Sequence, residues 1–469
     1  MKRSELRFGI FRIPTAVALA LSTGLLTLLP AGGITAQILL DHGSTICAPL
    51  GLELQHEIPP LDSMLAALGY DTLIAAEPSD TLTGKLEAGT RWTTGSRHVV
   101  LDELIVALRD TLTIEPGVVV ELGPMASLTI EGTLLARGTP DRPIVFRRSD
   151  PSSPWGRVQF LGATAAVYDD DGNYLEGGIL EYAALEGGGA ASGAFREGML
   201  LCSGSSPYLH ALLLRGGRAA NGGGMALVSG SNPLVEDCRI VDNVATGNGG
   251  GVYISLNAQA VLRNSVLFGN SAGRDGGGVY ISFSPAKVER CVLESNRAGR
   301  DGGAVALGGS QPVLIDNVFR YNTADNEGDL VILRAGVEPV ITGNSFLVSE
   351  DRTAIVTQAG SAAGAIIEAE NNWWGTVQDF LLDRLRLDRA VDPQRPMVNL
   401  DPVLRGPPDS APLRADSAAE FQVYEDAEFT RLLPTDYFGF ESPLYFRLVG
   451  QGAHPEVQDW ALIALMSGS

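Results

Sequence analysis

Five short runs along the chain share one alternation: Met225-Ala226-Leu227, Val252-Tyr253-Ile254, Val279-Tyr280-Ile281, Val305-Ala306-Leu307 and Val331-Ile332-Leu333. The first and third side chains of each run are apolar, which predicts a short strand with one face turned to a core. Between these strands lie four longer apolar runs, LVEDCRIVDN, VLRNSVLFGN, KVERCVLESN and VLIDNVFRYN, which end at Asn243, Asn270, Asn296 and Asn322. The asparagines recur at intervals of 27, 26 and 26. Each stands six residues before a glycine cluster (Gly249–Gly251, Gly276–Gly278, Gly302–Gly303) or the lone Gly328, and an earlier cluster is Gly222–Gly224. Aligning the longer runs and extending the register both ways gives two columns. One reads Ala184, Ala211, Cys238, Ser265, Cys291, Asn317, Asn344, Asn371, all small or amide side chains. The other, two residues on, reads Leu213, Ile240, Leu267, Leu293, Phe319, Phe346, Trp373, all large and apolar.

One unit of about 26 residues has room for three strands of three to five residues and three bends, but it cannot bury its apolar side alone. Stacking the units as coils of a parallel solenoid buries it, and puts equivalent side chains about 4.8 Å apart in ladders along the axis. Amides in such a column satisfy one another and the bend backbone, and the glycines are read as bend residues with positive φ. A helical solenoid is excluded, because glycine clusters interrupt every window long enough for a helix. The fold class predicted is all-β, a parallel β-helix solenoid with short capping segments. In that geometry Cys238 and Cys291 lie two coils apart, about 9.6 Å. A disulfide needs Cα atoms within about 7 Å, so both are expected to be free thiols. Cys202 falls in another strand, and a pair between Cys47 and Cys202 stays open.

The repeat resembles those of a known family. The glycine cluster followed by valine, together with the turn from Phe319 to Asn322, is similar to the repeats of chlamydial polymorphic outer-membrane proteins. The segment LTIEPGVVVELGPMASLTIEGTLLARGTPDRPIVF, Leu112 to Phe146, resembles the N-terminal coils of secreted bacterial β-helix proteins. NNWWG, Asn371 to Gly375, resembles the motif that often closes such helices. Together these resemble the right-handed parallel β-helix of the pectin-lyase-like superfamily over about Trp92 to Leu404. The resemblance implies a fold and leaves function open, since the superfamily holds lyases, hydrolases, adhesins and inert scaffolds.

The ends lack the repeat. MKRSELRFGIFR is basic, Ile13 to Leu29 is mostly apolar, and AGGITA offers small residues up to Ala36. Residues 1–36 are therefore expected to be a secretory signal peptide, with a retained anchor as the alternative reading. Residues 37–91 are expected to form an N-terminal cap region, with a short helix between Leu61 and Ala76 over the open end of the solenoid. The β-helix is expected over 92–404, closed by an amphipathic segment at Asp379–Asp388. A linker is expected over 405–420, and a tail or small module over 421–469. No segment after the leader is apolar enough to span a bilayer.

Charge narrows the partners. The formal net charge is −21, and Lys2, Lys85 and Lys287 are the only lysines. Such a surface repels nucleic acid, because it supplies neither phosphate contacts nor counterion release. It disfavours long acidic polymers unless calcium or an arginine patch intervenes. A monomer is expected, secreted, periplasmic or at the cell surface.

Candidate chemistry is sparse. An outer corner column reads Asn221, Asn248, Asp275, Asp301, Glu327, with Arg274 and Arg300 before the two aspartates. Carboxylates beside arginines at coil spacing suit a cation or a sugar; the plainer alternative is a solvated column whose side chains cap the glycine bends. Tyr253 and Tyr280 are expected to point outward one coil apart, either as an exposed aromatic ladder suited to a sugar face or as plain cross-strand packing. Asp169, Asp171 and Asn173 have the alternate spacing that opens a calcium loop, but Gly172 is misplaced for one and Leu180 stands where a glutamate closes it. The five histidines show no zinc spacing. The Asn-Thr-Asp, Asp-Asp, Gly-His-Gly and Arg-x-Lys set of polygalacturonase-like hydrolases, which the family resemblance brings into question, does not occur as a set. These observations predict a binding, adhesive or structural role toward an extended polysaccharide or a cell-surface partner, with no cofactor unless calcium. The alternative is a calcium-assisted polysaccharide lyase acting on uronates.

Overall fold

The computed structural model describes residues 77–189, 197–309, 311–328, 336–347, 353–359 and 365–408, with short pieces at 68–70, 73–74 and 331–333. It also describes backbone strands at Val17–Ser22, Leu25–Pro30, Thr35–Leu39, Leu52–Glu53, Ala419–Tyr424, Leu444–Gly450 and Trp460–Ala464. The chain divides into a unit of Leu61–Pro412 and a unit of Met1–Pro60 with Leu413–Ser469. In the second unit the strands of each terminal segment pair antiparallel with their neighbours. The basic leader Met1–Arg12 and most of the linker lie outside the described residues.

Leu61–Pro412 holds the solenoid. A typical coil runs Leu234–Glu236, a bend, Arg239–Val241, a second bend, Val244–Ala245, the glycine cluster, then Val252–Ser255. These four strands define four walls. Each strand pairs in parallel with its equivalents on the next coil, as Leu234↔Val261, Ile240↔Leu267, Val244↔Ser271 and Val252↔Val279 illustrate. The first wall alone stacks ten strands, from Arg91–Trp92 to Val340–Thr342. The expected three strands per coil are thus four. The extra one is a two-residue strand between Asn243-type and glycine positions, too short to leave an alternating signature.

The interior column is continuous. Ile240, Leu267, Leu293, Phe319 and Phe346 are each 0% exposed. Side chains 26 or 27 apart in sequence therefore meet as neighbours, and the coil closes through bends that carry residues of positive φ. At the bend between the first and second walls the residue is Tyr182, Ala211, Asp237, Asn264, Arg290, Asp316, Gly343 and Asn371 in successive coils. The residue that follows it turns inward.

This rule corrects the alignment at both ends. Leu213 pairs with Arg239 and Leu214 with Ile240, so the inward positions are Ala183, Leu212 and Leu214, rather than Ala184, Ala211 and Leu213. At the other end Asn371 takes the bend (φ 56°) and Asn372 joins the ladder. Trp374, not Trp373, then continues the large apolar column, stacked on Phe346 at 4.3 Å. At the C-terminal end the cause is a longer coil, 28 residues from Asn344 to Asn372; at the other the step from Leu212 to Cys238 is 26 where the alignment takes 27, and the coil before it, Ala183 to Leu212, is 29. Cys238, Ser265, Cys291, Asn317 and Asn344 hold the positions read from sequence. The Cys238 N–H donates to Ser265 Oγ at 3.0 Å, Cys291 N–H to Asn317 Oδ1 at 2.9 Å, Asn317 N–H to Asn344 Oδ1 at 2.9 Å and Asn344 N–H to Asn372 Oδ1 at 2.8 Å.

A second amide ladder runs beside the next bend. Asn243, Asn270 and Asn296 each give Nδ2 to Oδ1 of the following asparagine, at 3.0, 2.9 and 2.9 Å, ending at Asn322. Each also ties a core carbonyl of the preceding coil, as Asn296 Nδ2 does to Leu267 O at 2.9 Å. Asn243, Asn270 and Asn296 are fully buried. The glycine clusters divide their labour. Only the first glycine of each cluster takes positive φ, Gly249 at 66° and Gly276 at 68°. The second is required by contact: a Cβ on Gly277 would stand 2.3 Å from Gly303 O and 2.5 Å from Arg297 C.

Cys202, Cys238 and Cys291 are buried free thiols. Burial pushes Cys238 and Cys291 up to about 12, so they act as small apolar side chains; Cys47 lies outside the described residues. Of the expected N-terminal helix, Leu61 to Ala76, only residues 68–70 and 73–74 are described, with Ile74 N–H bonded to Tyr70 O at 2.9 Å. Tyr70, Leu73 and Ile74 pack on Val119, Val145, Ala184 and Leu213, the outer side of the second wall. These described residues therefore lie against the side of the solenoid; the rest of the expected cap helix lies outside the described residues. At the other end the helix Asp379–Leu385 turns Leu382 and Leu385 into the main core.

Candidate functional site

The glycine bends place Asn221, Asn248, Asp275, Asp301 and Glu327 at one corner. Asn248 N–H donates to Asn221 Oδ1 at 3.1 Å and Asp275 N–H to Asn248 Oδ1 at 3.3 Å. The two aspartates of the column are buried, Asp275 at 2% exposed and Asp301 at 8%, while Asn221, Asn248 and Glu327 are half-buried. Arg300 accounts for this. Its Nε donates to Asp275 Oδ1 at 2.7 Å, its Nη2 donates to Asp275 Oδ2, and its Nε stands 3.4 Å from Asp301 Oδ2. Asn326 Nδ2 donates to Asp301 Oδ1 at 2.7 Å. The hydrogen bond to Asp275 holds the Arg300 guanidinium above its usual range, so it is a permanent cation. Arg274 stays exposed and enters the corner through its backbone, its carbonyl accepting from Arg300 N–H at 2.8 Å. Glu327 is held in turn by Arg395, 2.9 Å away.

Tyr253 and Tyr280 stand next to this corner on the fourth wall, half-buried. Their rings are 5.5 Å apart and 3° from parallel. Stacked this way each ring gives a face to the other, while Tyr253 packs on the cluster of Leu201, Ala226 and Val228 and Tyr280 on that of Ala306 and Val356. The pair therefore follows the cross-strand packing alternative, with ring edges rather than faces left toward solvent. Coil spacing, which brings equal side chains into register, is what stacks them.

The loop with Asp169, Asp171 and Asn173 is the tip of an antiparallel hairpin of Val167–Tyr168 and Tyr174–Glu176. Asp169 Oδ1 accepts the backbone N–H of Asp171 at 3.0 Å and of Asn173 at 2.8 Å, and Asn173 Nδ2 donates to Asp169 Oδ2 at 3.0 Å. Asn173 thus presents a donor where a calcium ligand presents an oxygen. These bonds, that of the Asn173 side chain foremost, hold the Asp169 carboxyl below its usual range. The three residues form a turn. Among the described residues no group of three or more His, Cys, Asp or Glu side chains is placed to hold a metal ion.

The sequence reading missed a cluster on the first wall beneath this hairpin. Tyr174 stacks on Tyr208 at 5.7 Å, Tyr208 on His210 at 5.3 Å, and Tyr168 meets Tyr208 edge-on at 5.8 Å. His210 bridges two carboxylates, Nδ1 to Glu181 Oε1 at 3.0 Å and Nε2 to Asp237 Oδ2 at 3.1 Å. Tyr208 Oη donates to Glu236 at 2.9 Å, and Arg263 Nε to the same carboxylate at 2.6 Å. These residues come from different coils, and only wall register reveals them; the available signal was Glu181, His210 and Glu236 at coil spacing.

The bond to Asp237, then that to Glu181, hold His210 above its usual range despite its burial. A folded value above the unfolded one, near 6.5, gives stability that is fully present below about pH 6.5 and lost as pH rises through the folded value. The stability difference between the protein and its His210→Gln variant is therefore expected to be larger at about pH 6 than at about pH 9. Urea unfolding at the two pH values checks it, and an equal difference would remove the charge from the account.

Residues 212–319 match the family model of the right handed beta helix region. No curated protein and no solved structure matches the chain. The match carries the β-helix resemblance and does not reach the chlamydial proteins.

Proposed function

For a chain that is a right-handed parallel β-helix repeat protein, with the fold of the pectin-lyase-like superfamily, we propose a binding role toward extended polysaccharide, at the cell envelope or outside the cell. The observation that carries it is the corner beside the tyrosine pair. Asp275 is clasped by Arg300, Asp301 by Asn326 and Arg300, and Tyr280 lies within electrostatic range of the same guanidinium. Carboxylates already neutralised have little charge to give a divalent cation. An arginine held protonated by a clasped aspartate is a poor base for the proton beside a uronate carboxyl. What the corner presents is a row of hydroxyl, guanidinium and amide donors along a rigid wall, which suits the repeating hydroxyls of a glycan chain. The basic, then apolar, then small-residue order of residues 1–36 supports export, and no helix among the described residues is long and apolar enough to cross a membrane.

The experiment is affinity electrophoresis of the purified chain against neutral and uronate polysaccharides, with and without calcium, in parallel with absorbance at the wavelength of unsaturated products. Retardation by a glycan, weakened about tenfold or more by Tyr280→Ala through loss of a hydrogen-bonding anchor, is expected without any absorbance change. Calcium-dependent unsaturated product lost in Asp275→Ala would replace the binding role by the lyase. Absence of both retardation and product would sink the glycan altogether.

A further inference from the structure

The first coil holds a second constellation that the binding role does not use. Asp80 and His98 are direct partners between Asp80–Lys85 and Arg97–Val106, so their side chains lie on one face. His98 is 3% exposed and stacks on Trp92, ring centroids 4.5 Å apart and 17° from parallel. Its Nε2 is 2.8 Å from Ser96 Oγ. Its Nδ1 has no hydrogen bond, but Asp80 Oδ2 stands 3.3 Å away, off the line of a straight one. A buried imidazole with one nitrogen on a serine and the other facing a carboxylate is the arrangement that activates a serine hydroxyl. Ser96 closes a turn, its N–H bonded to Thr93 O at 3.0 Å. Its hydroxyl donates to the same carbonyl at 2.6 Å. Ser96 is half-buried, and beside it Gly95 has φ +77° and nothing within 4 Å of where a Cβ would stand, which leaves the turn open on that side.

We propose that Ser96, His98 and Asp80 form an acyl-transfer site that hydrolyses small, exposed ester groups, with Ser96 as nucleophile, His98 as general base and Asp80 as a positioning residue. The Ser96 proton rotates from Thr93 O to His98 Nε2 as Oγ bonds to the acyl carbon. The ester C–O bond then breaks, and the alcohol leaves with that proton. Water next attacks the acyl carbon and gives a proton to Nε2. The Ser96 ester bond breaks, the carboxylic acid departs and Oγ regains its proton. No oxidant or cofactor is consumed. Burial, countered by Asp80, keeps His98 below its usual range, so the ring is neutral and able to accept a proton at neutral pH. None of these residues belongs to the tyrosine corner, so this site and the glycan-binding reading stand or fall separately.

The test treats the full chain with a fluorophosphonate reagent, locates the adduct by peptide mass spectrometry, and follows hydrolysis of a nitrophenyl acetate. The adduct is expected on Ser96, with hydrolysis lost in Ser96→Ala. His98→Gln is expected to slow both by about 100-fold or more. Should that buried substitution prevent folding, the exposed carboxylate decides: Asp80→Asn slows labelling and Asp80→Glu restores part of the rate, at unchanged melting temperature. An adduct distributed over other serines, or one on Ser96 whose rate is indifferent to the Asp80 and His98 variants, overturns the proposal.

Discussion

Asn296→Ala is expected to lower the free energy of unfolding by about 2–5 kcal/mol, from the cost of stranding two or more buried polar groups. The side chain serves both neighbouring coils. Its Oδ1 accepts the Asn270 N–H at 3.0 Å and the Asn270 Nδ2 at 2.9 Å. Its Nδ2 donates to Leu267 O and to Asn322 Oδ1, each at 2.9 Å. Truncation leaves the Asn270 N–H and the Leu267 carbonyl inside the wall with a void beside them too apolar to hold water well. Aspartate is expected to do no better, because it replaces the donor by a buried charge. Urea unfolding of the two variants against the exposed Asn326→Ala measures this; a loss below about 1 kcal/mol would reduce the ladder to ornament of the packing, since one ordinary hydrogen bond is worth about that much.

Phe346→Ala is expected to cost about 3–5 kcal/mol, the range for emptying a buried phenyl site. Phe346 lies between Phe319 at 4.8 Å and Trp374 at 4.3 Å, both within 13° of parallel. Its removal deprives Trp374 of the surface on which it closes the C-terminal coils. In a solenoid each coil is stabilised chiefly by its neighbours, so the damage stays local. Hydrogen exchange is expected to rise in Ser345–Leu347 and Ile355–Thr357 while Val252–Ser255 keeps its protection. Uniform loss of protection along the chain would show that the coils unfold as one block.

Sequence periodicity carried the centre of this fold and failed where the period changed. Cys238 to Asn344 could be placed because five consecutive coils keep 26 or 27 residues and their bends keep one residue each. Asn371 and Trp373 were misplaced by one because the last coil is longer, and two adjacent asparagines or tryptophans give no local sign of which turns inward. The fourth strand was invisible because two residues cannot show alternation. The corner was legible as a column of residue types, but its burial was not. Only the approach of Arg300 over Asp275 shows that the charges are spent on each other. The tyrosines could be placed one coil apart, but whether they packed on each other or faced outward stayed open, since spacing predicts adjacency and not the plane of a ring. His210 between Glu181 and Asp237, and His98 between Ser96 and Asp80, each draw on residues that no motif joins, and only wall register brings them together.

The second glycine of each cluster sets the coils as close as backbone atoms permit, and the asparagines stitch them with one repeating set of bonds. Between Leu212 and Asn322 every join is therefore nearly interchangeable with the next. Such a wall behaves as a ruler: in-frame gain or loss of 26 or 27 residues lengthens or shortens its reach by one increment while the coils on either side are left unchanged, giving evolution a way to match the molecule to targets of different span.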